Sequence, residues 1–181
     1  FPARYPEWSG PQTFEAAVEA VVPAIRVVAD YAQERGIRTS LENHGFYLQA
    51  PDRVAALIEA VDHPNFGLTI DLGNFLCVNA DPTEATRQLA GHVVMAHAKD
   101  FHVKCDKAKA PTHGWIHTPT EIAIRGAILG HGEVDTGEQL RILKAAGYDG
   151  WVSLEFEGLE PPRLAVELGL AKLEADIAAV G

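Results

Sequence analysis

The sequence predicts an α/β fold built on a parallel sheet or barrel. One helical pattern is followed by four strand–helix pairs, the strands are short apolar runs, and Gly or Pro marks several of the element ends. This alternation is typical of parallel strands joined by right-handed crossovers, because each helix returns the chain to the start of the next strand. The 181 residues contain no visible linker and 47% of them are hydrophobic, so we expect one domain over residues 1–181 with a real core.

Five helices are predicted from apolar residues at helical spacing and from residues that begin or end helices. They cover residues 13–35, 51–62, 81–90, 136–146 and 161–180. Pro23 lies inside the first helix and predicts a kink or a break near Val22. The last helix is predicted to be amphipathic through Leu164, Val166, Leu168, Leu170, Leu173 and Ile177.

Four strands are predicted between these helices, at residues 37–42, 66–71, 92–97 and 151–155. Residues 99–134 break the alternation, because they are rich in Lys, Gly, Pro and His and their apolar residues keep no sustained period. They predict a long loop, which in a compact domain is usually functional or mobile. Residues 1–11 place aromatic residues among prolines, which predicts an ordered loop.

Each predicted strand ends in a residue that can bind a metal ion. These residues are Glu42, Asp71, His97 and Glu155. Because the carboxyl ends of parallel strands meet at one rim, we expect the four side chains to converge there. Three carboxylates and one imidazole suit a divalent cation such as Mn²⁺, Mg²⁺, Co²⁺ or Zn²⁺. The alternative is that all four are ordinary polar residues at the starts of loops.

The formal net charge of −10 argues against a nucleic-acid partner, since an acidic protein repels phosphate unless a local basic face overrides the total. The positive charge of the one close basic cluster is diluted by two nearby aspartates. The cluster is Lys104, Lys107 and Lys109, and the aspartates nearby are Asp100 and Asp106. We therefore expect no nucleic acid among the partners.

Two cysteines, Cys77 and Cys105, are too few for a disulfide framework and favour reduced thiols. No apolar run is long enough to span a bilayer, and no signal peptide opens the chain, so we expect a cytoplasmic protein without membrane contact. The chain begins at Phe1 and its one methionine is Met95. Either the start has been processed or the sequence is a piece of a longer protein.

Short motifs around the four strand ends resemble those of a known family. In order and spacing they are similar to the sugar-phosphate isomerase/epimerase family, the xylose isomerase-like TIM barrels, over nearly the whole chain from Thr13. The motifs are Leu41-Glu42-Asn43-His44, Ile70-Asp71-Leu72-Gly73-Asn74, His97-Ala98-Lys99-Asp100, Gly130-His131-Gly132-Glu133-Val134-Asp135, Gly147-Tyr148-Asp149-Gly150-Trp151 and Ser153-Leu154-Glu155.

The resemblance implies a parallel (β/α) barrel of TIM type, of which this chain holds the last four βα units and a preceding helix. A full barrel needs about 250 residues, so the resemblance implies the C-terminal part of a chain roughly 100 residues longer. A half barrel exposes two unpaired strand edges and an inner apolar face, which invites association. Family members are commonly homo-oligomers, and we expect a homo-oligomer here.

The resemblance also implies a metal-dependent isomerase or epimerase that moves a proton next to the carbonyl of a small sugar or sugar derivative. A divalent cation can hold substrate oxygens and stabilise an enediolate, while two glutamates remove and return the proton. By resemblance, Glu42 and Glu155 are both metal ligands and the acid/base pair, whereas Asp71 and His97 are ligands alone.

Five further residues are candidates for contact with the substrate. Each also has a structural alternative: a backbone hydrogen bond for His44, a turn or helix cap for Asn74, a solvated surface pair for Lys99 and Asp100, and a tight turn for His131. Asn74 departs from the family pattern, since some epimerases carry a substrate-binding His at that position.

Three competing functions remain. A lyase or dehydratase acting on a keto-sugar or inosose would begin with the same proton abstraction and then expel a leaving group. A DNA-repair nuclease of the apurinic-site endonuclease type uses the same barrel with more metal ligands, and the acidic charge argues against it. A binder of metal or sugar without catalysis is the third.

Overall fold

A computed structural model describes residues 13–45, 47–106, 109–120 and 122–181. These residues form a four-stranded parallel sheet with its helices and, in addition, a smaller antiparallel sheet. The strands are β1 Thr39–Glu42, β2 Phe66–Asp71, β3 Val93–Ala98, β4 Asp100–Lys104, β5 Ile116–His117, β6 Ala123–Ala127 and β7 Val152–Leu154. The helices are α1 Phe14–Gln33, α2 Pro51–Val61, α3 Pro82–Leu89, α4 Thr136–Ala145 and α5 Pro162–Val180, with 3₁₀ turns Asn74–Val78 and Ala90–His92. The loop predicted for residues 1–11 lies outside the described residues.

The parallel sheet has the order β1-β2-β3-β7, which is also the order of these strands in the chain. All three pairings are parallel, and Asp71 at the end of β2 lies opposite His97 of β3. The predicted α/β fold with a parallel sheet is confirmed, and the four strand ends stand side by side at one rim. The antiparallel sheet, in the order β4-β6-β5, is inserted between β3 and α4.

Helices α3 and α4 begin where the sequence supplies a capping side chain, whereas α2 and α5 begin at a proline without one. The side chain of Asp81 accepts a hydrogen bond from the Glu84 amide at 3.0 Å, and Asp135 does the same for Glu138. Such caps satisfy amides that have no partner inside the helix. Among the described residues, none of the helices combines the length and the apolar character that crossing a bilayer requires.

The core lies between the parallel sheet and its helices. Strand β2 is its centre, with Leu68 and Ile70 fully buried, and α2 contributes Val54, Leu57 and Val61. Each such side chain contributes about 1.5–3 kcal/mol by leaving water. This packing fixes the register of the strands, and therefore the height at which their terminal residues stand on the rim.

Two predictions about local structure need correction. Helix α1 continues through Pro23, so the alternative of a break near Val22 is wrong. The segment 99–134 is not one long loop, because it contains all of β4, β5 and β6. Phe101 and Ile124, from two of these strands, form a small second core with Cys77. Their alternation with polar neighbours spans only a few residues, so it was lost in the composition of the whole segment.

The amphipathic pattern predicted for α5 is also wrong. Of its six predicted apolar contacts only Leu173 is buried, while Leu164, Val166, Leu168, Leu170 and Ile177 are 44–47% exposed. The helix instead packs through Ala165 and Gly169. A Cβ at Gly169 would stand 3.2 Å from the Leu154 side chain, so a small residue allows α5 to lie close to β7.

Candidate metal centre

The structure brings the four predicted metal ligands together. One ligand atom from each of Glu42, Asp71, His97 and Glu155 lies within 4.8 Å of all the others. His97 Nδ1 is the centre of the group, at 3.5 Å from Glu42 Oε1 and 3.6 Å from Glu155 Oε2. These separations are longer than hydrogen bonds, and they match atoms that share a cation at about 2.0–2.3 Å, which lie about 3–4.5 Å apart.

Three atoms of this group are buried donors or acceptors without a hydrogen bond in the described part of the chain. They are Asp71 Oδ2, His97 Nδ1 and Glu155 Oε2. A buried polar atom without a partner is costly, and such atoms are usually satisfied by protein, water or an ion. Their convergence on one point fits a divalent cation, and the oxygen-rich set with one imidazole suits Mn²⁺, Mg²⁺, Co²⁺ or Zn²⁺.

Asp71 is held in place by its neighbours on the backbone. Its Oδ1 accepts hydrogen bonds from the amides of Gly73 and Asn74, each at 2.9 Å, which leaves Oδ2 directed at the centre. The buried Asn43 side chain bonds both the amide and the carbonyl of Asp71, at 2.7 and 2.9 Å. Asn43 thus ties the end of β1 to the end of β2. Sequence reasoning missed this role, although Asn43 lies inside the Leu41–His44 motif.

Lys99 is buried at the base of the group, with 1% of its side chain exposed. Its Nζ lies 3.1 Å from Glu157 Oε2, 3.3 Å from Glu155 Oε1 and 3.6 Å from Asp71 Oδ2. The alternative of a solvated surface lysine is therefore wrong. Sequence reasoning also missed Glu157, which stands two residues after Glu155 and by strand alternation points to the same side.

The charged groups around Lys99 shift one another's pKa values. Burial raises the pKa of Asp71 to about 7, although the Lys99 ammonium lowers it in part. Burial opposes the charge of Lys99, but the surrounding carboxylates outweigh it and hold the pKa of Lys99 above its ordinary value. For Glu155, burial is likewise outweighed by Asp71 and Lys99, so its pKa lies below the usual range. Asp71 and Glu155 thus shift in opposite directions, and Glu155 is the one of the two that is kept ionised.

Asp100 is buried and supports a loop. Its two carboxylate oxygens accept hydrogen bonds from the amides of Phe101, Gly130, Gly132 and Val134, at 2.7–3.0 Å. A Cβ at Gly132 would lie 2.3 Å from Asp100 Oδ1, so glycine permits this close approach. The alternative of a solvated Asp100 is wrong, and its side chain positions the loop 130–134.

The remaining candidates lie at different depths. Asn74 is buried, with Oδ1 3.5 Å from Lys99 Nζ and its amide on Asp71, so it belongs to the base of the group. His44 and His131 are exposed on the loops that follow β1 and β6. The structure therefore separates an inner set around Lys99 from an outer pair of histidines.

A family-wide sequence model described as xylose isomerase-like TIM barrel matches residues 1–175. The chain belongs to this family. The four-residue group at the ends of adjacent parallel strands is thus set in a partial (β/α) barrel.

Relatives of known activity in this family include enzymes of two kinds. The chain is 29% identical over 124 residues to 3-oxo-isoapionate decarboxylase of Pectobacterium atrosepticum, covering 68% of this chain and 40% of that protein. It is 22% identical over 144 residues to inosose dehydratase of Geobacillus thermodenitrificans, covering 77% of this chain and 47% of that protein. The chain spans about half the length of the curated relatives it matches.

Solved structures show the same fold. A xylose isomerase-like TIM barrel protein from Mycobacterium smegmatis in complex with magnesium matches with a TM-score of 0.74 and 24% identity, over 92% of this chain and 52% of that one. A D-tagatose 3-epimerase-like protein matches with a TM-score of 0.68 and 22% identity, over 97% of this chain and 59% of that one. The matched part is thus about half to three fifths of each of these two solved chains.

Proposed function

We propose that this chain carries the catalytic centre of a metal-dependent isomerase or epimerase that moves a proton next to the carbonyl of a keto-sugar. The observation that supports it most is the placement of two glutamates, Glu42 and Glu155, which come from strands on opposite sides of β3 and lie 3.5 and 3.6 Å from His97 Nδ1. An interconversion at one carbon needs one group to take a proton and a second group to return it.

The four-residue group would hold the divalent cation, which supplies Lewis-acid stabilisation for negative charge developing on substrate oxygens. Glu155 is a candidate for the base, because Asp71 and Lys99 outweigh the effect of burial, lower its pKa and keep its carboxylate ionised. Glu42, from the other side of β3, would carry the returning proton. Asp71 and His97 complete the ligand set without a proton-transfer role.

The candidates for substrate contact divide between direct and supporting roles. His44 and His131 are exposed near the ends of rim loops, where they can donate to sugar hydroxyl groups. Lys99 and Asn74 stand below the carboxylates and would meet a substrate oxygen only at the base of the site. Asp100 would act by holding the loop that carries His131.

The second candidate is a lyase that acts on the same class of substrate. It is favoured by the curated relatives, a decarboxylase and a dehydratase. A dehydratase shares its first step with an epimerase, because both remove a proton next to a carbonyl to form an enolate. The dehydratase then expels water, whereas a decarboxylase forms its enolate by losing CO₂. His44, Lys99 or His131 would be the acid that protonates the leaving group.

Proton NMR in D₂O with Mn²⁺ or Mg²⁺ and a panel of ketohexoses and inososes tests both. Deuterium at a carbon next to the carbonyl with no elimination supports the isomerase or epimerase, while an enone product supports the lyase. Glu42→Gln and Glu155→Gln should each reduce exchange about 10²–10⁴-fold. Glu138→Gln, an exposed residue of α4 bonded to Arg141, is the matched control. Exchange that survives both site variants would refute the assigned roles.

We also propose that the chain associates with itself. The exposed apolar residues of α5 and the unpaired edges of β1 and β7 in the described sheet are surfaces that favour association. Light scattering at micromolar concentration should give a mass above that of one chain, and Leu164→Ser/Leu168→Ser should lower it. A monomeric mass at all concentrations would contradict the proposal.

A further inference from the structure

Two carboxylates of the candidate metal centre have oxygen atoms in unequal surroundings. Asp71 Oδ1 accepts hydrogen bonds from the amides of Gly73 and Asn74, whereas Asp71 Oδ2 is buried without a hydrogen bond in the described part of the chain. Glu155 Oε1 lies 3.3 Å from Lys99 Nζ, whereas Glu155 Oε2 is buried and likewise has no such bond there. In each carboxylate one oxygen is therefore held by the protein, and the other is left for the centre.

Lys99 can hold Glu155 because its own position is fixed. Only 1% of its side chain is exposed, so the ammonium group does not turn freely into water. Its Nζ lies 3.1 Å from Glu157 Oε2, 3.3 Å from Glu155 Oε1 and 3.5 Å from Asn74 Oδ1. An ammonium group carries one N–H donor for each of these acceptors. Asp71 Oδ2, at 3.6 Å, is the most distant of the four oxygens and remains available to a cation.

The held oxygens limit how many ligand atoms the centre can offer. Asp71 and Glu155 each present one oxygen, and His97 presents Nδ1. For Glu155 to present both oxygens, Oε1 would have to leave Lys99, and a buried ammonium group that loses an acceptor is costly. Ca²⁺ takes about six to eight oxygen ligands and often binds both oxygens of a carboxylate, whereas Mg²⁺ is smaller and demands fewer. Zn²⁺ commonly takes about four ligands.

We propose that Lys99 is a positioning residue that restricts Glu155 to one metal-facing oxygen, so that the centre selects a small divalent cation over Ca²⁺. The backbone amides of Gly73 and Asn74 restrict Asp71 in the same way. In this role Lys99 acts through Glu155 and does not itself bind the cation. The inference rests on the metal centre of the proposed function and adds to it what decides the choice of metal.

The affinities of the protein for Mn²⁺ and Ca²⁺, measured by calorimetric titration, test this role. In Lys99→Met the Glu155 Oε1 atom is released, and Ca²⁺ gains a ligand that Mn²⁺ does not need. Loss of the positive charge should raise both affinities, so the informative quantity is the ratio of the Ca²⁺ affinity to the Mn²⁺ affinity. We expect this ratio to rise about tenfold, as is typical when a partner of a metal ligand is removed.

Two variants separate position from charge. Glu157→Gln removes a negative charge near the centre and leaves Lys99 on Glu155, so both affinities should fall while their ratio stays the same. Glu138→Gln, on the exposed surface of α4, should change neither affinity. An unchanged ratio in folded Lys99→Met overturns the inference. A ratio that shifts as much in Glu157→Gln as in Lys99→Met also overturns it, because charge alone would then set the selectivity.

Infrared difference spectra test the same point with Lys99 in place, and therefore do not depend on the folding of Lys99→Met. The separation of the two carboxylate stretching bands differs between a carboxylate that binds a cation through one oxygen and one that binds through both. Glu42→Gln leaves Asp71 and Glu155 as the carboxylates of the four-residue group. With saturating Mn²⁺ it should show the one-oxygen pattern alone, and a two-oxygen pattern overturns the inference.

These measurements report binding and not turnover, so they fail separately from the proton-exchange experiment. Proton exchange in wild-type protein, together with an unchanged ratio in Lys99→Met, overturns the positioning role and leaves the proposed function standing. A raised ratio in Lys99→Met, in protein that exchanges no proton, supports the positioning role and counts against the proposed function. Folded wild-type protein that binds neither cation overturns the metal centre and the positioning role together.

Discussion

The parallel sheet and the inserted antiparallel sheet place functional residues in different ways. On the parallel sheet each ligand comes from the end of a different strand, and buried side chains such as Leu68 and Ile70 fix all strands in register. The inserted sheet has a core of only a few residues and carries its polar groups on an open face. The comparison shows that a deep core fixes the positions of the four candidate ligands, whereas the polar residues of the thin insertion have only a few buried residues behind them.

The largest effect is expected when two candidate metal ligands at the ends of the parallel strands are removed. An Asp71→Ala/His97→Ala double variant removes two adjacent ligands, one of each chemical type, and should reduce bound divalent metal from about one per chain to a trace. Mass spectrometry of protein purified without chelator measures it. Glu138→Gln protein prepared in parallel should keep its metal. Folded wild-type protein without metal would contradict the assignment of the centre.

Loss of the buried cation should be nearly as severe. Lys99→Met leaves Asp71, Glu155 and Glu157 without their shared counter-charge, and breaking a buried ion pair on one side costs about 3–5 kcal/mol. Urea unfolding of the metal-free protein measures the change in the free energy of unfolding.

The exposed pair between Arg163 and Glu167 on α5 is the matched comparison for that variant. Its nitrogen–oxygen distance is 3.0 Å, but the Arg163 side chain is largely in solvent. Arg163→Ala should change the free energy of unfolding by less than about 1 kcal/mol. Equal losses of unfolding free energy in Lys99→Met and Arg163→Ala would mean that the buried Lys99 stabilises the protein no more than an exposed ion pair does.

A smaller effect is expected in the loop 130–134, which follows the inserted sheet and is held by Asp100. In Gly132→Ala the new methyl group would stand 2.3 Å from Asp100 Oδ1, so the loop 130–134 must shift and lose amide bonds to Asp100, at a cost of about 1–3 kcal/mol. Gly91→Ala is the control, because nothing lies within 4 Å of its Cβ position. Thermal unfolding of both variants decides whether the Asp100 bonds stabilise the rim.

The convergence of the four candidate ligands was predictable because each of them ends an apolar run. Parallel strands bring their carboxyl ends together whatever the intervening helices contain. The burial of Lys99 was not predictable, since it depends on three carboxylates that arrive from different strands and loops. A lysine next to an aspartate in a polar segment has the same local pattern whether it is buried or solvated.

The helix and loop errors have a similar origin. In α5 Leu164 and Leu168 lie on one helical face and Val166 and Leu170, two positions further on, lie on another, so the large apolar residues are spread around the helix. The residues that do share the buried face, Ala165 and Gly169, are small and carry little weight in a hydrophobic pattern. Strands β5 and β6 escaped notice because pairing across the segment, rather than local composition, defines them.

Adjacent side chains at the β3–β4 junction face in opposite directions. Lys99 reaches the carboxylates of the centre, and Asp100 reaches the amides of the loop 130–134. One peptide unit therefore connects the four-residue group to the loop 130–134. A shift of either residue along the strand would move the other, so the position of the candidate metal ligands and the position of that loop are coupled through the chain itself.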